Sequence, residues 1–307
     1  MSSKVSLRKF DIAKDMANDA TVLLCAPRRS GKTVLLCDIL YNKRDFPCGM
    51  LMSGSEKMTP TFGKIVPELF IYENFDADAV NRLMERQESF VNKIATDPKY
   101  KKYAPPDISY GTEKYKMYMA KEAYKEGGPD PRAWLILDDL LPQFKEIFKN
   151  ERIAEIFANG RHFNLLFLMT TQNFFSIHNS FRDNFEYIFI FKGCSDKELK
   201  KLYDQYASFC ETFTLFREIV NEFTQNYGCI VINKRAITKE ISDNIFYYRA
   251  DPRVINDTKP EHMVLCKQAW NFNKKYYNKD HRAKKDGAIV VNVKGKQIEI
   301  SKANEKK

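Results

Sequence analysis

The sequence predicts an α/β fold with a mostly parallel sheet flanked by helices, and three observations carry that expectation. Short β-rich runs alternate with helical segments along most of the chain. Several of those runs are continuously apolar, as strands covered on both faces are. The first of them feeds a glycine-containing turn that opens a helix, the usual punctuation of a strand–loop–helix unit.

In order, the first strand is Thr21 to Cys25 and its helix runs from about Lys32 to Tyr41. Met50 to Met52 follows, ending at Ser53-Gly54-Ser55, and then Leu69 to Tyr72. A charged stretch from Asp76 to Arg132 reads as a helical insertion, with helices over Asp76 to Ile94 and Thr112 to Tyr124. The loop between them contains Pro98, Pro105 and Pro106. Its Lys99-Tyr100-Lys101-Lys102-Tyr103 run interleaves cations with aromatics, which suits either phosphate contact or a solvated loop. Trp134 to Leu137, Leu165 to Met169 and Tyr187 to Phe191 are the next strands, with a helix from Glu151 to Asn159 between the first two. Ser195-Asp196-Lys197-Glu198 is a capping box that opens a helix to about Tyr206. Cys229 to Ile232 and Ile245 to Tyr248 extend the sheet antiparallel. Residues 1–250 are thus expected to form one α/β domain with an insertion at about 76–132, followed by a basic C-terminal segment, 251–307.

Composition narrows the class. The 307 residues are 44% hydrophobic, enough for a substantial core and too apolar for wholesale disorder. No apolar run approaches the roughly 20 residues that span a bilayer, and Met1 to Ala20 has no signal-peptide centre, so a soluble, unsecreted protein is expected. Seven cysteines lie scattered without a CxxC pair, which reads as free thiols in a reducing compartment and argues against a structural zinc site. The formal charge is +10, of which residues 259–307 supply +8 from 13 Lys/Arg and 5 Asp/Glu. A basic tail on a nearly balanced body suits a polyanionic partner or simple solubilisation.

The decisive motif is Ala26-Pro27-Arg28-Arg29-Ser30-Gly31-Lys32-Thr33. A strand before it and a helix after it are the context of a phosphate-binding loop. Backbone N–H groups at the start of a helix meet phosphates, and the helix dipole favours their charge. Pro27, Arg28, Arg29, Ser30, Gly31, Lys32, Thr33 and Val34 are therefore the candidate nucleotide-binding residues. Lys32 is placed for the β- and γ-phosphates of ATP, and the Thr33 hydroxyl for Mg²⁺. The usual pattern begins with glycine where this chain has Ala26, so the first turn of the loop departs from it.

Leu135-Ile136-Leu137-Asp138-Asp139 is the complement: an apolar strand whose acidic end falls at the sheet edge beside the phosphate loop. Asp138 is expected to hold Mg²⁺ through water and Asp139 to polarise an attacking water. Phe167 to Gln172 ends on the same edge, one strand beyond the acidic pair, where Gln172 can orient that water or sense the γ-phosphate. Gly160-Arg161-His162 lies just upstream. Arg161 reads either as a helix-dipole partner or as a cation reaching a neighbouring subunit's site, with Arg182 as the second candidate for that role. His162 reads as a packing residue, with no ligand set around it.

Taken together, Pro27 to Thr33, Leu137-Asp138-Asp139, and Gly160-Arg161-His162 leading to Thr171-Gln172 resemble the DNA-packaging ATPases of the FtsK/HerA superfamily, in particular those of nucleocytoplasmic large DNA viruses. Arg182-Asp183-Asn184 and Phe246-Tyr247-Tyr248-Arg249 share the likeness, which spans about residues 15–250. The resemblance implies a RecA-like P-loop core in a homo-oligomeric ring, a pentamer or hexamer. It further implies ATP-driven translocation of double-stranded DNA into a preformed capsid, capsid or portal proteins as partners, and residence in host cytoplasm, viral factory or virion. On the residues alone, a P-loop kinase and a nucleotide-gated assembly protein stay open. Asp139 and Gln172 favour hydrolysis over transfer to an acceptor.

Overall fold

Alternation of side chains within each short strand decides the layering, since neighbours along a strand point to opposite faces. The computed structural model describes residues 6–257 and 259–277, together with the backbone of the strands Ala288–Val293 and Lys296–Ser301, which pair antiparallel. The eight strands of the main sheet are β1 (Thr21–Cys25), β2 (Cys48–Ser53), β3 (Ile71–Tyr72), β4 (Ala133–Asp138), β5 (Leu165–Thr171), β6 (Tyr187–Phe191), β7 (Gly228–Asn233) and β8 (Ile245–Arg249). Their order is β3-β2-β4-β5-β1-β6-β7-β8. The first six are parallel, and β7 is antiparallel to both β6 and β8. The late antiparallel pair is where the sequence places it.

Two apolar layers cover the sheet. On one face Leu23, Leu135, Phe167 and Ile188 pack with Ala79, Leu83, Ile156, Leu202 and Phe216. These come from helices α2 (Ala77–Thr96), α4 (Glu151–Asn159), α5 (Asp196–Tyr206) and α6 (Phe213–Phe223). On the other face Val22, Leu24, Ile136, Leu168 and Phe189 meet α1 (Lys32–Asn42) through Leu35, Leu36 and Ile39. Among the described residues no helix is long and apolar enough to cross a membrane.

Most boundaries fall within a few residues of those read from the sequence, because the end groups are strong. Asp76 accepts from Ala79 N to start α2, and Ser195 and Glu198 form the capping box of α5. The insertion also contains α3 (Glu113–Lys125), begun by Thr112. A small core of its own joins α2 and α3, with Val91, Ile94, Tyr100, Tyr115 and Met119 buried. Tyr100 therefore points inward and stacks on Tyr103, leaving Lys99, Lys101 and Lys102 exposed.

Strand β5 pairs with β4 on one side and β1 on the other, so Gln172 stands one strand beyond the acidic pair, as read, and next to the phosphate loop. One feature differs from expectation: residues after 250 continue to pack on the α1 face. Val254, Val264, Leu265 and Ala269 join that core, and Val264 N donates to Ile65 O at 2.8 Å. The short helix α7 (Lys267–Tyr276) is tethered through Asn273, whose Oδ1 accepts from Leu69 N at 2.9 Å. Beyond Tyr277 the basic stretch lies outside the described residues, apart from the two paired strands.

Candidate active site

The parallel strands end on one edge, and the loops that leave β1, β4 and β5 there share a cavity of about 850 Å³ with the end of β8 and the turn before β7. The phosphate loop follows β1. Ala26 N donates to Thr171 O at 3.0 Å, which extends the β1–β5 pairing into the loop. Ala26 is not among the residues with positive φ, so glycine's conformational freedom is not needed at that first turn. Positive φ falls instead at Arg29 (62°) and Gly31 (95°). Ser30 Oγ donates to Pro27 O at 2.8 Å and closes the turn. Gly31 is the N-cap of α1, and no side chain caps that helix. Its first N–H groups are therefore free of a side-chain acceptor at the cavity, the arrangement that receives an anion.

Lys32 reaches across to the acidic strand end. Its Nζ lies 3.8 Å from Asp138 Oδ1 and 3.8 Å from Asp139 Oδ1. The Asp138 side chain is 1% exposed, accepting from Ser53 Oγ at 3.0 Å and from Thr170 Oγ1 at 2.8 Å. Burial pushes its carboxyl above the ordinary range; the Lys32 charge and the two hydroxyl donors work against that rise, and the neighbouring Asp139 adds to it. Asp139 leaves the strand with φ 52°, a left-handed position that Asp tolerates better than most residues. Its N–H donates to Thr170 Oγ1 at 3.1 Å. The end of β2 passes close by: a Cβ on Gly54 would stand 2.6 Å from Asp139 O, so this approach requires glycine.

Gln172 links the two halves. Its Nε2 donates to Asp139 Oδ1, and its Oε1 accepts from Arg28 Nε at 3.1 Å. A displacement of Arg28 by phosphate would thus be felt at the acid through one side chain.

The two remaining arginines are not brought to this cavity. Arg161 is exposed in a hollow of about 200 Å³ with Asp19, Thr21, Asn184 and Glu186. Those residues surround the starts of β1 and β6, the sheet edge opposite the phosphate loop. Arg182 is buried: its guanidinium lies 4.8 Å over the Phe174 ring and donates to Phe175 O at 3.1 Å. That placement puts it inside the fold, away from the phosphate-loop cavity. His162 is partly buried, and burial followed by the charges of Arg161 and Lys121 holds its imidazole below the ordinary value.

The cavity wall also contains residues that the sequence reading does not assign to the nucleotide site, among them Ser55, Glu56, Asn226, Tyr227, Arg249 and Pro252. The Glu56 carboxylate accepts from the backbone N–H groups of Thr61, Phe62 and Gly63 at 2.9, 3.1 and 2.9 Å, fixing the loop after β2. An acid five residues before a Thr-Phe-Gly turn gave no local pattern to find it by. Asn226-Tyr227-Gly228 did carry turn chemistry.

The donor set suits a hydrated hard cation. One buried carboxylate steadied by two hydroxyls, with the Thr33 hydroxyl at the start of α1, matches Mg²⁺, which keeps several waters and takes other ligands from phosphates. Fold and site together define the class: an α/β protein with a RecA-like P-loop core. In sequence the chain is similar to proteins of large DNA viruses. An uncharacterized protein of Acanthamoeba polyphaga mimivirus is 29% identical over 280 residues, covering 91% of this chain and 87% of that protein. Another, from Invertebrate iridescent virus 6, is 27% identical over 254 residues, covering 82% and 84%. Among solved structures, the genome packaging NTPase of Sulfolobus turreted icosahedral virus 2 in complex with AMPPCP overlaps with a TM-score of 0.46 at 15% identity. It covers 77% of this chain and 100% of that one. No protein-family model matches the chain.

Proposed function

We propose that this chain is an ATP-hydrolysing motor that moves double-stranded DNA, packaging a viral genome into a preformed capsid as a homo-oligomeric ring. The observation that carries the hydrolytic part is the convergence of Lys32, Asp138, Asp139 and Gln172 at the uncapped start of α1. Lys32 neutralises the β- and γ-phosphates while the helix N–H groups hold them. Asp139, with Gln172 bonded to it, orients a water toward the γ-phosphorus and takes up its proton as the β–γ bridging bond breaks. Thr33 and Asp138 would hold Mg²⁺, which supplies charge neutralisation on the phosphate oxygens. The translocation part is supported by the motif likeness to packaging ATPases, by the relatives in large DNA viruses and by the basic C-terminal segment.

In this reading Arg161, exposed on the opposite sheet edge, serves a neighbouring subunit's site and not its own. The test of the proposal is steady-state phosphate release with and without duplex DNA. Release that rises with duplex is expected. Phosphorylation of an added acceptor in its place would assign a kinase, and binding without turnover would assign a nucleotide switch.

A further inference from the structure

The cavity has two ends, and hydrolysis uses one. Asp139 and Gln172 stand at the ends of β4 and β5, on one side of β1; Tyr227 and Arg249 adjoin β7 and β8, on the other. A triphosphate held by Lys32 against the acids therefore directs the rest of the nucleotide past Gly31 toward β7 and β8.

An aromatic ring waits there. Tyr227 is 71% exposed, and its Cδ1 lies 3.4 Å from where a Cβ on Gly31 would stand. Phe62, the other aromatic of the cavity wall, is 1% exposed and belongs to the core. Asn226 and Tyr227 both hold positive φ, 52° and 62°, and for a bulky residue that conformation is a strained outlier of the kind that gathers at ligand sites. The turn is nonetheless fixed. Gly228 N donates to Gln225 O at 2.9 Å, Arg249 Nη2 to the same carbonyl at 3.3 Å, and Lys192 Nζ to Gln225 Oε1 at 2.8 Å. The segment after β8 is tied to the phosphate-loop helix as well: Asp38 of α1 accepts from Tyr248 OH at 2.6 Å and from Asp251 N at 3.1 Å. Strain at the tip of a well-tethered turn presents an aromatic face at a set distance from the phosphate loop.

We propose that Tyr227 is the platform on which the base of the bound nucleotide stacks, with Arg249 to Pro252 closing that end of the cavity. This rests on the phosphate-loop reading above. Every base has a π-face, so the platform adds affinity without choosing strongly among bases.

The test compares equilibrium binding of ATP with binding of inorganic tripolyphosphate, which has no base, both with Mg²⁺. Tyr227→Ala is expected to weaken ATP by about 5- to 150-fold, the range for losing one base–aromatic stack, while tripolyphosphate stays within about twofold. Tyr227→Phe, which keeps the ring, should bind ATP close to wild type. Tyr227→Gly removes the ring and also relieves the left-handed strain, so it guards against a folding artefact and should lose ATP like the alanine variant. ATP affinity unchanged in the alanine and glycine variants would overturn the proposal, as would equal loss of ATP and tripolyphosphate. A wild-type protein that binds neither probe would overturn the phosphate-loop reading itself, a failure distinct from that of the platform.

Discussion

Replacing Lys32 by alanine is expected to lower phosphate release by at least two to three decades, the scale on which loss of a single transition-state charge partner acts, and to weaken nucleotide binding sharply. The lysine is a cation shared by both acids, 3.8 Å from each, and its side chain is 12% exposed. Without it Asp138 is a buried carboxylate facing Asp139, and the β- and γ-phosphates lose the side-chain cation that offsets the two acids. Asp139→Asn should behave differently. The amide keeps the shape and can still bond Gln172, so nucleotide stays bound, but it cannot take a proton from water. Turnover should fall by about two to four decades, the usual contribution of a positioned base. Single-turnover phosphate release together with equilibrium ATP binding separates the two variants. Wild-type turnover in both would remove the assignment.

The second large effect is expected at Arg161. It lies at the far end of β1 from the phosphate loop, roughly 16 Å away at about 3.3 Å per strand residue, so it cannot complete the site of its own subunit. If a neighbour's Arg161 supplies charge to the γ-phosphate, Arg161→Ala should cost three to five decades in rate, on the order of 4–7 kcal/mol. A helix-terminal arginine with only a dipole role would cost less than about 1 kcal/mol of stability and leave the rate alone. Mixing decides between them. Arg161→Ala subunits keep intact phosphate loops, and Lys32→Ala subunits keep intact arginines. Each should be inactive alone, and rings formed from both should recover part of the DNA-stimulated rate. Verified mixed rings without recovery would exclude the trans role. Arg182 is a weaker candidate than its sequence position suggests, because its guanidinium is buried over the Phe174 ring with Nη2 donating to Phe175 O.

Much of this architecture is legible in the chain because its signals are local. The β1–loop–α1 unit, the Ser195 capping box and the apolar β4 run are each set by neighbouring residues, and each appears where it was expected. The order of the strands is not local. Nothing within residues 165–172 says that β5 inserts between β1 and β4, yet that insertion is what lets Gln172 bridge Arg28 and Asp139. Helix α6 is legible by the same local signals: Thr212 caps it, and Phe213, Phe216, Val220 and Phe223 recur at helical spacing just before the turn that carries Tyr227. Arg161 and Arg182 show the converse limit, for proximity in sequence to a strand end does not say which sheet edge a side chain occupies. The segment after 250 reads as basic by composition, while four apolar residues, Val254, Val264, Leu265 and Ala269, decide that its first part packs on the core.

Displacement of a third strand tests most directly whether hydrolysis drives movement along duplex DNA. A labelled oligonucleotide paired in the major groove of a duplex blocks the path of any protein that advances along it. The wild-type chain with ATP and Mg²⁺ should strip that strand, whereas Lys32→Ala with ATP, or wild type with AMPPCP, should leave it in place. Duplex-stimulated hydrolysis with the triplex intact would contradict the account, leaving an ATPase that responds to DNA without moving it.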